Sequence, residues 1–225
     1  MPIMAKKGGS GDFQPVSEGL HPAVCWAVVD LGIQRKTGQF AGEAHEVYLG
    51  FEVLDQSIEF EKDGQKVVGP MRTGITITNS LHEKSKLRRF AEKWRGRPFT
   101  EAELGGFDVA KLAGHACQVL VTHTTKGDKT YANIENILAW PKDKPKPPTP
   151  ESLLVYELDN PTAWDRVPNW LQTKISNRLA DNWDEFNRKD APPEMTPDRH
   201  SHEDSNGGGF DDDIPFLPCE YRSVA

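Results

Sequence analysis

Between positions 44 and 54 the chain alternates with a period of two. Val47, Leu49, Phe51 and Val53 fall on one side, and Glu46, Tyr48, Gly50 and Glu52 on the other. Only a strand repeats every two residues, so this stretch predicts a β-strand with one face in a core. Such a strand needs partners, and the flanking sequence supplies two. Residues 21–34 carry Val24, Cys25, Trp26, Ala27, Val28, Val29, Leu31 and Ile33, apolar on both faces, as expected of a strand at the centre of a small barrel. Gly38 and Gly42 break it. Asp63-Gly64 is a hairpin signal. A third strand is predicted over 65–78, with Thr73, Ile75 and Ile77 facing one way and Arg72, Gly74, Thr76 and Thr78 the other. Gly69-Pro70 is a place for a bulge.

The period then changes. Leu81, Leu87, Phe90, Ala91 and Trp94 form a stripe at helical spacing, which predicts a helix over 81–94 capped by Asn79 or Ser80 and stopped by Gly96 and Pro98. Thr100 and Glu103 have the spacing of a capping box. Gly105-Gly106 weakens the helix they open, before a last helical stretch at 109–113. Two more strands follow, 117–124 and 130–138, joined by a turn at Lys126-Gly127-Asp128-Lys129.

Three strands, a helical insertion and a two-strand hairpin are the order of a five-stranded oligonucleotide-binding (OB-like) barrel. The fold class expected is mainly β with α. Residues 1–19 read as a Gly-rich arm and 20–140 as the barrel. Residues 141–152 are a linker, with five prolines and three lysines between 141 and 150. A short helical segment at 153–190 follows, with Pro168 at a helix start and Trp170, Leu171, Ile175 and Leu179 as its stripe. Trp164 and Trp183 flank it. It is too small to fold alone and is expected to pack on the barrel or on another chain. Residues 191–225 read as a disordered acidic tail.

Charge is distributed unevenly. Residues 1–140 hold 17 Lys+Arg and 17 Asp+Glu, a balance of zero, while residues 141–225 hold 10 against 17 and so carry the whole net charge of −7. An acidic total therefore does not exclude a polyanion ligand for the first part. Cys25, Cys117 and Cys219 make an odd count without a Cys-x-x-Cys pair, which suggests neither a disulfide framework nor a cysteine zinc site and fits a cytoplasmic setting. The first residues carry two lysines with no apolar run behind them, unlike a secretory signal, and no stretch approaches the roughly 20 apolar residues of a membrane span.

The strongest chemical signal is basic. From Lys84 to Arg97 seven cations (Lys84, Lys86, Arg88, Arg89, Lys93, Arg95, Arg97) stand against one acid, Glu92. Trp94 and Phe99 lie among them, with Trp94 expected in the core. Cations can track a phosphate backbone, and aromatic rings add base stacking of about 1–3 kcal/mol per base. A solvated helix face is the plainer reading of the same run. Tyr48 and Arg72 on the face opposite the core, with Lys126, Lys129 and Tyr131 at the last hairpin, complete the candidate nucleic-acid-binding set, because such a barrel offers its ligand strands two and three and two loops. Glu43, Glu46, Glu52 and Asp55 could be imagined as a nuclease metal cluster. Glu46 and Glu52 share a face but stand about 20 Å apart by strand rise, so solvated strand acids are the better reading. His200 and His202 are a weak metal signal, and neither a phosphate-binding Gly-rich loop with Lys-Ser/Thr nor a nucleophile elbow is present. No cofactor and no catalytic residue is expected.

Near the end of the sequence, a run at 196–209 with almost nothing to bury leads into Asp211, Asp212, Asp213, Ile214, Pro215 and Phe216. The string Asp-Asp-Asp-Ile-Pro-Phe on a Gly-rich tether resembles the acidic tip of bacterial single-stranded DNA-binding proteins. In that family the tip recruits replication and repair enzymes, and its Phe ends the chain. Here residues 217–225 follow it. A second resemblance rests on Ser-Leu-His-Glu-Lys-Ser-Lys-Leu-Arg-Arg (80–89), Trp-Arg-Gly-Arg-Pro-Phe-Thr (94–100), Gly-Phe-Asp-Val-Ala-Lys-Leu-Ala-Gly (106–114) and Tyr-Ala-Asn-Ile (131–134). Together these are similar to bacteriophage proteins regarded as single-stranded DNA-binding proteins. The resemblances imply a non-enzymatic role in phage DNA replication, recombination or repair within the bacterial host cytoplasm. They imply single-stranded DNA and replication or recombination proteins as partners. A strand-annealing accessory protein and a non-catalytic interaction adaptor are the alternatives, and a metal-dependent nuclease is the third. The oligomeric state is open, a homo-oligomer included.

Overall fold

The structure is a computed structural model and describes residues 14–38, 41–62 and 65–189. Five long strands carry the fold: β1 (Gly19–Lys36), β2 (Gly42–Lys62), β3 (Gln65–Thr78), β4 (Ala116–Lys126) and β5 (Lys129–Ala139). Helices α1 (Lys86–Arg95) and α2 (Glu101–Leu104) and a 3-10 turn (Val109–Leu112) stand between β3 and β4. After the linker come a three-residue strand β6 (Leu154–Tyr156), a 3-10 turn (Pro161–Arg166), α3 (Asn169–Ser176) and α4 (Trp183–Lys189).

The sheet order is β3-β2-β1-β4-β5, antiparallel throughout, with β1 at its centre as its two-faced apolar pattern requires. The hydrogen-bonded sheet does not close into a barrel. Its two edges, β3 and β5, come near each other but form no ladder. β1 changes neighbour along one edge. Gly19 to Val24 pair with β4, and Ala27 to Val29 pair in parallel with β6. Register shifts between Cys25 and Ala27 and between Asp30 and Gly32 bend β1 through that exchange. Further along, Ile33 donates to Ala180 O at 2.8 Å and accepts from Leu179 N at 2.8 Å. The chain after the linker thus takes the stretch of β1 that β4 leaves.

Two cores result. The first lies between the sheet and α1 and joins Cys25, Val47, Leu49, Phe51, Val53, Phe90, Trp94 and Ile137. The second covers the opposite face of β1 and β2, where Trp26, Val29, Leu31 and Tyr48 meet Tyr156, Leu171 and Ile175. The alternation at 44–54 predicts only the first. The face holding Tyr48 and Gly50 is buried as well, because the C-terminal segment lies on it.

Several boundaries differ from expectation for local reasons. β2 runs on to Lys62 past a register shift between Val53 and Ser57, and its extension pairs with the start of β3. The first helix begins at Lys86 and not at Leu81. Ser85 is its cap, accepting from Arg88 N at 3.1 Å, while residues 83–84 form a turn. Gly96 closes that helix in the left-handed conformation, at φ 68°. The capping box of Thr100 and Glu103 is formed as expected. Trp170, expected in an apolar stripe, points outward from α3 at 55% exposure, and only Leu171 and Ile175 of that stripe reach the core of this helix. Residues 14–18 pack on the sheet: Val16 is buried, and Glu18 accepts from His123 N at 2.6 Å.

Candidate nucleic-acid interface

β1, β2 and β3 carry a row of small residues across the sheet. Ala27 stands opposite Gly50, and Gly50 opposite Gly74. The furrow they leave is filled by rings from neighbouring positions. A Cβ on Gly74 would sit 2.1 Å from the Tyr48 hydroxyl oxygen, and one on Gly50 would sit 2.8 Å from Trp26 Nε1. Neither distance is possible, so the two rings occupy this space only because these positions are glycine. Tyr48 is buried at 8% exposure, and burial pushes its phenol up to about 12. Trp170 stands on it edge-to-face, with ring centroids 5.1 Å apart and planes at 86°.

Beside this furrow Arg72 donates from Nε and Nη2 to the nearly buried Glu52 carboxylate, at 3.1 and 2.6 Å, and from Nη2 to Ser152 Oγ at 2.8 Å. Its guanidinium carbon lies 4.1 Å from the centre of the Trp26 ring. One face of the guanidinium is therefore stacked and its charge is matched, while the side chain keeps 44% of its surface in solvent.

A groove of about 750 Å³ opens over these groups. Trp26, Tyr48, Arg72 and Trp170 line one part of it, Phe60 and Gly69-Pro70 the extension of the β2–β3 hairpin, and Tyr131 to Asn133 the edge of β5. It crosses the seam that the unpaired edges of β3 and β5 leave. A second, polar groove of about 640 Å³ shares Tyr131 and Asn133 with the first and is lined besides by Lys86, Thr122, Thr124, Lys126, Ile134 and one carboxylate, Glu135. The two grooves adjoin at Tyr131, a residue with 48% of its surface exposed. Aromatic faces on one side of it and two lysines on the other make a path suited to bases and then phosphates.

The expected site residues sort into three groups. Arg72, Tyr131, Lys86 and Lys126 line the joined grooves, and Tyr48 forms the floor of the first. Lys84, Arg89 and Lys129 are exposed but line neither groove: Lys84 lies in the turn before α1, Arg89 on α1 and Lys129 at the start of β5. Arg88, Arg95 and Arg97 are paired with carboxylates of the helical insertion itself, Arg95 and Arg97 with the same one. Arg88 donates to Glu92 at 3.0 Å one helical turn on. Glu103 receives both Arg95 and Arg97, the latter at 2.8 and 3.0 Å. Arg97 and the Thr100 backbone hold the Glu103 carboxyl down at about 2. Arg95 also lies 4.4 Å over the Phe99 ring, so it clamps the α1–α2 turn. Three of the seven cations of the cluster therefore hold the helical insertion together.

Trp26, Phe60, Trp170 and Asn133 were not among the expected residues. Trp26 reads as core from the strand pattern, and Trp170 as part of an amphipathic stripe. Their place in one groove depends on a segment more than a hundred positions away folding onto β1. The glycines at 50 and 74 were the available signal, since a strand interior with two paired glycines marks a close approach.

The acids of the imagined metal cluster are separately engaged. Glu43 pairs with Arg35, Glu46 with Lys36 and Lys174, Glu52 with Arg72, and Asp55 with His21. No helix among the described residues is long and apolar enough to cross a membrane. The tip at 211–216 and the histidines at 200 and 202 lie outside the described residues. No protein-family model and no curated protein matches this chain.

Proposed function

We propose that this chain is a single-stranded DNA-binding protein of an OB-like, partly open barrel type, acting in replication or recombination without catalysis. The observation that carries the reading is the pair of adjoining grooves at the β3–β5 seam. One is lined by aromatic rings and a stacked guanidinium, the other by Lys86 and Lys126, and Tyr131 belongs to both. A duplex hides its base faces, whereas a single strand can lay bases on rings and phosphates on lysines in succession. The strand order β3-β2-β1-β4-β5, with the helices between β3 and β4, supports reading the sheet as an OB-like barrel left open between its third and fifth strands. The acidic Asp-Asp-Asp-Ile-Pro-Phe string at 211–216 fits recruitment of partner proteins through Lys or Arg and an apolar pocket on the partner.

The test is a fluorescence titration with labelled oligo-dT, a matching duplex and a matching RNA at two salt concentrations. Tight binding to oligo-dT, weak duplex binding and an affinity that falls with salt are expected. Log K against log salt should slope by about −0.7 for each phosphate contacted. Absence of oligo-dT binding at low salt would overturn the reading and leave the interaction adaptor in front.

A further inference from the structure

We infer that Arg72 and Trp170 receive bases, while Lys86 and Lys126 receive phosphates, so that the helical segment after the linker contributes directly to the nucleic-acid site. The inference rests on the single-stranded DNA reading above. Arg72 is poorly placed to act as a bare phosphate cation. Its charge is matched by Glu52 through two hydrogen bonds, and its plane lies against Trp26 at 4.1 Å. What it offers outward is the flat surface of a delocalised cation, which stacks well on a base. Trp170 is held by its contact with Tyr48, which itself cannot move because Gly50 and Gly74 fit its ring so closely. More than half of the residue's surface is nevertheless open, on a helix whose neighbouring Leu171 is fully buried. An aromatic ring fixed on a rigid base and left open in a groove beside a stacked guanidinium is a ready platform for a nucleobase. The lysines differ. Among the described residues Lys86 and Lys126 have no carboxylate partner, and their groove is polar.

The full chain and the variants Trp170→Ala, Trp170→Phe, Arg72→Lys and Lys86→Ala/Lys126→Ala separate the roles. Each is titrated with oligo-dT and with an oligonucleotide of the same length carrying abasic sugars, across a salt series, after its melting temperature has been compared with that of the unaltered chain. Trp170→Ala and Arg72→Lys should weaken oligo-dT binding by roughly tenfold, the scale of one lost base stack, with the salt slope unchanged and abasic binding unaffected. Trp170→Phe should restore most of the affinity. The double lysine variant should weaken both oligonucleotides alike and make the slope shallower by about 1.4, two contacts' worth. A shallower slope for Arg72→Lys, equal losses on the abasic strand, or unchanged oligo-dT binding by Trp170→Ala would overturn the assignment. Failure of the unaltered chain to bind oligo-dT would instead overturn the functional reading on which it rests, and the assignment with it.

Discussion

At the scale of single residues, Gly74 and Tyr48 are one unit. The Tyr48 ring occupies the space that any side chain at 74 would need, in a strand where the ring is walled by Trp26 and Trp170. Gly74→Ala should therefore destabilise the fold by about 1–3 kcal/mol, the usual cost of overpacking, measured as a lower midpoint in urea. The same burial makes Tyr48 an alkaline liability. In the unfolded chain its phenol ionises near the ordinary value of 10, but in the folded chain only at about 12. Between those values the unfolded state has lost a proton that the folded state keeps, so stability falls as pH rises from 10 to 12. Below pH 10 the group adds no pH dependence. Tyr48→Phe should flatten that decline by on the order of 2 kcal/mol, read from urea midpoints at pH 9 and pH 11.5. None of this was legible locally. Tyr48 sits at an outward position of an alternating strand, and alternation says nothing about which outward faces a distant segment will cover.

At the scale of elements, the helical insertion is held by charges that sequence reading assigns to DNA. Glu103 closes the capping box of α2 and binds both Arg95 and Arg97, so one carboxylate fastens α1 to α2. Its pKa is depressed to about 2 by the Arg97 hydrogen bond first, then by the Thr100 backbone. A depressed carboxyl contributes stability above its unfolded value of about 4.5 and loses it as pH falls toward 2. Glu103→Gln should thus lower the melting temperature at pH 7, and the difference from the unaltered chain should shrink by pH 2.5. An undiminished difference at pH 2.5 would show that the charge is not what Glu103 supplies. The strands themselves were readable, because periodicity is a property of neighbours in sequence. Each of the five expected strands formed, β3 with the expected limits. The start of α1 was not readable, since Asn79, Ser80 and Ser85 are all competent caps and the turn between them decides. β6 was not readable either. Three residues carry no period, and they are a strand only because β1 offers them an edge.

At the scale of the whole molecule, charge is separated along the chain. The balanced first 140 residues supply most of the groove lining, including every lysine and arginine in it, and residues 141–225 carry the net −7. An acidic segment tethered to a cationic groove competes with a polyanion for it. Removing residues 197–225 should therefore tighten oligo-dT binding, most strongly at low salt where screening is weakest. Unchanged or weaker binding by the truncated chain would refute that competition. The Pro-rich stretch at 141–150 reads as a boundary between parts. Ser152, just beyond it, nevertheless donates to Glu52 at 2.7 Å, and Leu154 to Tyr156 pair with β1, so the chain after the prolines is bound into the sheet at once.

The furrow of Ala27, Gly50 and Gly74 also bears on how the strands find their alignment. Alternation protects a sheet against slipping by one residue, because that turns every side chain to the wrong face. It gives no protection against slipping by two. Were β3 displaced two places along β2 in one direction, the Tyr48 ring would meet Arg72; in the other it would meet Thr76. Only the observed alignment puts a bare Cα beneath the ring. The glycine that leaves room for the tyrosine thus also works as a vernier mark, selecting one register among those that hydrophobic patterning alone would accept.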